Sequence, residues 1–194
     1  NIFIKKTPSI GKTLVCFDNY NLRSLVKDLN KSNILSYGFN NKSNYQIINV
    51  IKKKTYSTFD LKIKVAGLKK NTIKNIKLNL LGNHNITNAA GSIAIALNIG
   101  IKINKIKNAL RKFSGIQRRF TKVFSNGKIE IYDDYAHHPT EINAVINSAR
   151  QVYKKRKIIS IFQPHRYSRV EYLESEFASS FKSSDIVILC PIFA

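Results

Sequence analysis

The sequence predicts an α/β protein of two units. Its opening runs strand, helix, strand, and its middle holds three strand-like runs in succession. After a break at Ser114-Gly115, strands and helices alternate again, with continuous apolar strand runs of the kind a parallel sheet buries on both faces. At 194 residues the chain is long enough for one large domain or two modest ones, and a hydrophobic fraction of 43% supports a real core.

In order, TLVCF (Thr13 to Phe17) is a short apolar strand. NLRSLVKDL then places Leu22, Leu25, Val26 and Leu29 at helical spacing, and ILSYGF is a strand again. From Tyr45 to Leu81, YQIINVIK, TYSTFDLKIKV and TIKNIKLNL read as a meander, with a loop at Gly67 to Asn71 before the last run. GNHNITNAAGSIAIALNIG is small and aliphatic from Ile86 to Ile99, which suits a helix buried on most sides and ended by Gly100. KINKIKNALRKF is an amphipathic helix with Ile103, Ile106, Leu110 and Phe113 on one face. The unit boundary falls near Lys112. Beyond it, RRFTKVFSNGKIEIYDD reads as a hairpin turning at Asn126-Gly127. EINAVINSARQVY is a helix with Ile142, Val145, Ile146, Ala149 and Val152 inward; KIISIFQ a buried strand; YLESEFASSF a helix; DIVILC another buried strand.

Lysine and arginine number 33 against 11 acids, a net charge of +22. The basic residues are spread along the whole chain beside abundant Asn and Ile, and the runs Lys52 to Lys54 and Lys154 to Lys157 lack aromatic platforms. Compositional drift therefore explains the charge better than a nucleic-acid partner, which remains an alternative. No apolar run is long enough to span a bilayer and no signal peptide is recognisable. Cys16 and Cys190 read as small hydrophobes in a reducing, cytoplasmic compartment. The absence of methionine suggests a fragment cut at both ends. Nothing in the sequence specifies an oligomeric state.

Four clusters carry chemistry. His84, Asn85 and Asn88 open the buried helix; an asparagine amide both donates and accepts, as an adenine edge requires, although spacing alone favours capping. Gln117-Arg118-Arg119-Phe120 follows the break, where arginines could clamp phosphates or simply lie in solvent. In DDYAHHPTE, Pro139 and Glu141 are explained as helix-start residues. Asp133, Asp134, Tyr135, His137 and His138 are not, and they fall at the carboxyl end of a strand, where open α/β sheets bind ligands. An aspartate there can accept from ribose hydroxyls; a metal site ranks lower, because adjacent histidines lack regular ligand spacing. QPHRYSR presents His165, Arg166 and Arg169 at a second strand end, and arginines at a helix start oppose the dipole, which favours function. Neighbouring ends of one parallel sheet would bring the last two clusters into one crevice around an anion such as a carboxylate.

GNHNITNAAGSIAIA, FSGIQRRF, DDYAHHPTEI and QPHRYSR, in that order, resemble the motifs of the ATP-dependent Mur ligases. QPHRYSR is the most specific to the branch that adds L-alanine to UDP-N-acetylmuramate, with related muropeptide ligases as the alternative. The resemblance implies the end of a P-loop-type ATP-binding domain over residues 1–111 and, over 112–194, the start of a Rossmann-like C-terminal domain with a mostly parallel sheet. It implies ATP activating a lactyl carboxylate as an acyl phosphate that the alanine amine attacks. It implies nucleotide contacts from His84, Asn85, Asn88, Arg119 and Asp134, with Arg119 reaching across the hinge. Tyr135, His165, Arg166 and Arg169 would bind substrate, and His137 and His138 are the candidates for handling protons. Gly11-Lys12-Thr13 lacks the upstream glycine of a phosphate loop. Magnesium is implied for the parent enzyme with ligands outside this chain, and the fragment is expected to be inactive alone.

Overall fold

A computed structural model describes residues 4, 6–8, 10–27, 29, 33–65 and 71–193, in two compact units, Asn1–Ser114 and Gly115–Ala194. The loop expected at Gly67 to Asn71 lies outside the described residues, Asn71 apart.

Unit 1 contains β1 (Thr13–Cys16), α1 (Tyr20–Val26), β2 (Ile34–Gly38), β3 (Tyr45–Lys52), β4 (Ser57–Ile63), β5 (Thr72–Leu78), α2 (Asn83–Asn98) and α3 (Ile103–Lys112). The strands form one sheet in sequence order. β1, β2 and β3 are parallel neighbours; β4 and β5 continue antiparallel, as the meander pattern requires. Period-two alternation buries Tyr45 and Ile47, then Phe59, Leu61 and Ile63, then Ile76 and Leu78 on one face. α2 covers that face with Ile86, Ala89, Ala90, Ile93 and Ala94. Its small residues let it lie close: a Cβ on Gly91 would stand 3.0 Å from the Tyr37 ring. Tyr45 is fully buried, and its hydroxyl accepts from Asn98 Nδ2 at 2.8 Å.

The meander is irregular at two places, with register shifts between Ile48 and Ile51 and between Phe59 and Leu61. Asn49 and Asn75, on the strands either side of β4, adopt left-handed φ of 52° and 56°. Asp60 between them accepts from Asn49 Nδ2 at 2.9 Å and from the Asn75 amide at 2.8 Å.

Two expectations for unit 1 fail. α1 ends at Val26, so Leu29 lies beyond it, and of the residues at helical spacing only Val26 is buried, Leu22 and Leu25 being each 39% exposed. Phe113 lies beyond α3 in extended backbone and is 41% exposed, so that helix relies on Ile106 with Ile103 and Leu110 partly covered.

Unit 2 contains β6 (Thr121–Ser125), β7 (Glu130–Asp133), α4 (Pro139–Val152), β8 (Ile159–Phe162), α5 (Tyr167–Tyr172), α6 (Glu174–Ser180) and β9 (Ile186–Leu189). The hairpin turns as expected: Asn126 Oδ1 accepts from the Lys128 and Ile129 amides, and Gly127 takes a φ of 83°. The core is small: Ile142, Ile146 and Phe177 are buried, with Ala136, Phe162, Val170, Leu173 and Phe181 packed around them.

Three expectations change here. β8 and β9 pair in parallel but are not buried: Ile161 is 72% and Leu189 66% exposed. Two strands cannot bury themselves, and only Phe162 of the ribbon joins the core cluster. The hairpin β6–β7 and the ribbon β8–β9 are separate sheets, so the two motif-bearing strands are not hydrogen-bonded neighbours. The helix expected at YLESEFASSF begins earlier, at Tyr167, and breaks at Leu173 (φ −120°, ψ 25°) into α5 and α6.

One polar cluster ties the hairpin to the end of α4. Glu130 accepts from the Tyr132 and Tyr153 hydroxyls and pairs with Lys122 at 2.6 Å and Arg156 at 3.2 Å. The bonds from Lys122 and Tyr153 hold its carboxyl down at about 2, against an ordinary 4.5. A carboxyl depressed by folding stabilises above its unfolded value, and that contribution disappears as pH falls towards the folded one. Unit 2 should therefore lose stability between about pH 4.5 and 2, and Glu130→Gln should flatten that stretch of the curve. Thermal melts across the range test this; an unchanged slope in the variant would assign the acid sensitivity elsewhere.

Candidate functional site

In unit 1 the chemistry gathers at the carboxyl ends of β1 and β2 and the first turns of α2. Asp18, just past β1, accepts from the Phe39 and Asn40 amides at 3.0 Å each and so clamps the two strand ends together. The clamp needs Gly38: its φ is 139°, and a Cβ there would lie 2.6 Å from the Asp18 carboxylate. α2 starts at Asn83 behind Gly82, which takes a φ of 90° and offers no side-chain cap. Capping, the simpler explanation of the asparagines, is thereby ruled out: Asn85 and Asn88 sit inside the helix. Asn85 Nδ2 donates back to the Leu81 carbonyl at 2.8 Å, which fixes its amide plane, and Asn88 is exposed. A cleft of about 560 Å3 opens between these parts, lined by Arg23, Phe39, Asn40, His84 and Thr87 among others.

In unit 2 the RRF and DDYA segments are laced together. Asp134 accepts from the Phe120 amide through one oxygen and from the Ala136 amide through the other, both at 2.7 Å. The Tyr135 amide donates to the Arg118 carbonyl at 2.8 Å. Arg118 and Phe120 take left-handed φ of 59° and 51° on either side of Arg119, a concentration of strained backbone that the lacing has to hold. Arg118 pairs with Asp133 at 3.4 Å and lies 5.0 Å over the Tyr135 ring.

Arg119 pairs with Glu141 at 3.5 Å, and Glu141 also accepts from the His137 amide at 3.1 Å. Burial raises the Glu141 carboxyl, but His137 and Arg119 outweigh it and hold the group below its ordinary value. The sequence marks Glu141 only as a helix-start acid; its role as the junction of two motifs is visible only in three dimensions.

The two histidines are held in different ways. His137 Nδ1 lies 3.0 Å from the Tyr135 carbonyl, which can only accept, so Nδ1 carries the proton and Nε2 of the neutral ring keeps its lone pair. His138 caps α4: its Nδ1 accepts from the Thr140 amide at 3.3 Å, which puts the neutral ring's proton on Nε2. Tyr135 is 53% exposed and meets the His137 ring edge-on at 5.1 Å.

The third motif turns on Phe193. His165 stacks on that ring at 5.7 Å, the Arg166 amide donates to the Phe193 carbonyl at 2.9 Å, and the Phe193 amide donates to the Pro164 carbonyl at 2.8 Å. Arg166 heads α5 with a φ of 67° and an exposed side chain. Arg169, one turn on, has an Nη1 shielded from solvent with no hydrogen-bond partner. The DDYAHH and PHRYSR loops do not share a sheet, yet Ala136 from one and Val170 beside the other pack on the same core cluster. Among the described residues, no three His, Cys, Asp or Glu side chains come together as a metal site, and no helix is long and apolar enough to cross a membrane.

Comparison with known proteins agrees with the motifs. The Mur ligase middle domain model matches residues 1–96, and the Mur ligase glutamate ligase domain model matches 118–192. UDP-N-acetylmuramate–L-alanine ligase from Pelagibacter ubique is 51% identical over 98% of this chain and 41% of that protein. The enzyme of the same name from Bartonella henselae is 38% identical over 99% and 40%. The crystal structure of UDP-N-acetylmuramate-alanine ligase from Thermotoga maritima superposes with a TM-score of 0.69 at 28% identity, over 93% of this chain and 38% of that one. A murein peptide ligase from Psychrobacter arcticus shares the fold, with a TM-score of 0.67 at 24% identity. The chain thus spans about two fifths of the length of the relatives it matches.

Proposed function

The chain belongs to the Mur ligase family, and from that premise we propose that it is the central part of a cytoplasmic, ATP-dependent ligase joining L-alanine to UDP-N-acetylmuramate. The 51% identity to the Pelagibacter ubique enzyme across nearly the whole chain carries this reading. In it, residues 1–111 end the ATP-binding domain and 112–194 begin the C-terminal domain. His84, Asn85 and Asn88 contact the nucleotide from unit 1, and Arg119 and Asp134 from unit 2. Tyr135, His165, Arg166 and Arg169 receive the amino acid and the muramoyl carboxylate; the unpaired, shielded Nη1 of Arg169 suits an anionic acceptor. Of the two histidines, His137 is the better proton acceptor for the alanine amine, because its Nε2 is the unprotonated one, while His138 is taken up as a cap. Magnesium, implied for the parent enzyme, would be held in this reading by ligands outside this chain.

A chimera tests the reading: this chain replaces the matching segment of the Pelagibacter ubique enzyme. Phosphate release should depend on both UDP-N-acetylmuramate and L-alanine, and the isolated chain should release none. Arg166→Ala in the chimera should lower alanine efficiency roughly 30-fold, as expected for losing one partner of a charge-assisted contact worth about 2–5 kcal/mol, and leave the KM for ATP nearly unchanged. A chimera that turns over a muropeptide and ignores alanine would move the chain to the murein-peptide branch.

A further inference from the structure

Glu141 lies between two residues that the ligase reading assigns to different substrates. Its carboxylate divides its oxygens. Oε1 lies 3.5 Å from Arg119 Nη1. Oε2 accepts from the His137 amide at 3.1 Å and lies 3.6 Å from His137 Nδ1. A glutamate at the third position of a helix commonly reaches back to a backbone amide near the helix start, and that habit explains the bond to the His137 amide. It does not explain why the other oxygen takes Arg119, or why the His137 ring lies on the same carboxylate.

Charge and tautomer say what the arrangement does. Burial raises the Glu141 carboxyl, but the His137 amide and the charges of His137 and Arg119 keep it below its ordinary value, so it is ionised at neutral pH. The Tyr135 carbonyl holds the ring proton on His137 Nδ1 and leaves Nε2 to accept. When Nε2 takes a proton the ring becomes a cation, with a carboxylate oxygen 3.6 Å from Nδ1. An anion so placed favours the charged ring. Arg119, on the other oxygen, offsets that anion. Among the described residues, the other charged groups of these segments are engaged elsewhere: Arg118 pairs with Asp133, and Asp134 accepts from two amides. The Arg119 side chain is half-exposed, and an exposed ion pair is cheap to exchange for a phosphate.

We propose that Glu141 is a positioning residue that couples nucleotide engagement to proton transfer: while Arg119 rests on it the His137 ring is a poor acceptor, and once Arg119 turns to the nucleotide the freed carboxylate stabilises the imidazolium that forms. This rests on the reading of Arg119 as a nucleotide contact and of His137 as proton acceptor for the alanine amine. In that step the amine nitrogen bonds to the acyl carbon, the carbon–oxygen bond to phosphate breaks with its electron pair leaving on the phosphate, and the amine proton passes to Nε2. The device orders the reaction, because the acceptor gains strength only after the nucleotide has drawn the arginine away.

The test is a double-mutant cycle on the 194-residue chain, read from the 15N signals of the His137 ring against pH. Glu141→Gln keeps an acceptor for the His137 amide and removes only the charge. It should make the ring take its second proton about 3-fold less readily, and Arg119→Gln about 3-fold more readily, as exposed ion pairs of this kind allow. The Arg119→Gln effect should vanish in the Glu141→Gln background. In the chimera, Glu141→Gln should lower kcat about 3-fold, move the acid limb of the pH profile to lower pH and leave the KM for ATP unchanged. An Arg119→Gln effect that persists without the Glu141 charge means that the arginine acts on the ring directly, and overturns the coupling. A ring that titrates alike in every variant overturns it too. A chimera that ignores alanine while the cycle holds overturns the ligase reading, and with it the role in proton transfer, and leaves the charge link between Arg119 and His137 in place.

Discussion

Asp134→Ala should destabilise unit 2 by about 3 kcal/mol or more, and should do so without any ligand present. The carboxylate accepts two backbone amides at 2.7 Å, and hydrogen bonds to a charged group contribute ~1.5–3 kcal/mol each. Those bonds hold the Phe120 end of the RRF turn, where two residues sit at left-handed φ, against the DDYA segment. A unit whose buried apolar core is Ile142, Ile146 and Phe177 has little reserve against such a loss. Hydrogen exchange should quicken at the Phe120 and Ala136 amides, and Asp134→Asn, which keeps one acceptor oxygen, should fall in between. If Asp134→Ala melts like wild type and its two partner amides stay protected, the residue is a ligand contact and not a scaffold. The family resemblance implies a nucleotide contact for Asp134; the geometry gives it a positioning role as well.

Gly38→Ala is the second large effect, at about 3 kcal/mol in unit 1. Left-handed backbone in a residue with a side chain costs ~1–3 kcal/mol, and overpacking adds a comparable amount. The added methyl would stand 2.6 Å from both Asp18 carboxylate oxygens, so it must also break the two hydrogen bonds that close the strand ends. Gly100→Ala is the control: its φ of 82° is also left-handed, but nothing lies within 4 Å of a new Cβ. Chemical denaturation of the pair should show Gly38→Ala losing clearly more than Gly100→Ala. Equal losses would mean that backbone strain alone sets the cost and that the Asp18 clamp is loose.

Where a pattern depends on neighbours in sequence, the chain states its structure openly. The alternation in β3, β4 and β5 and the small-residue face of α2 follow from periodicity, and Asn126-Gly127 marks its own turn. The motif residues are likewise legible as a group at strand and helix ends. Properties that depend on distant partners are not. Continuous apolar runs in β8 and β9 read as buried strands, but burial requires covering layers that a strand's own residues cannot report. The adjacent histidines look interchangeable until Tyr135 and Thr140 fix opposite tautomers.

In the isolated 194-residue chain, the bare β8–β9 ribbon governs colloidal behaviour. It shows water aliphatic side chains on a parallel ribbon, with Ile159, Ile161, Ile186 and Ile188 on one face and Leu189 on the other. What keeps two such surfaces apart in dilute buffer is long-range repulsion, and a chain with a charge of +22 has it in abundance. That repulsion reaches about 30 Å at 0.01 M ionic strength and about 3 Å at 1 M. The lysine surplus that reads as compositional drift thus acts as a dispersant for the ribbon, and salt, which ordinarily protects proteins from one another's charges, withdraws that protection here.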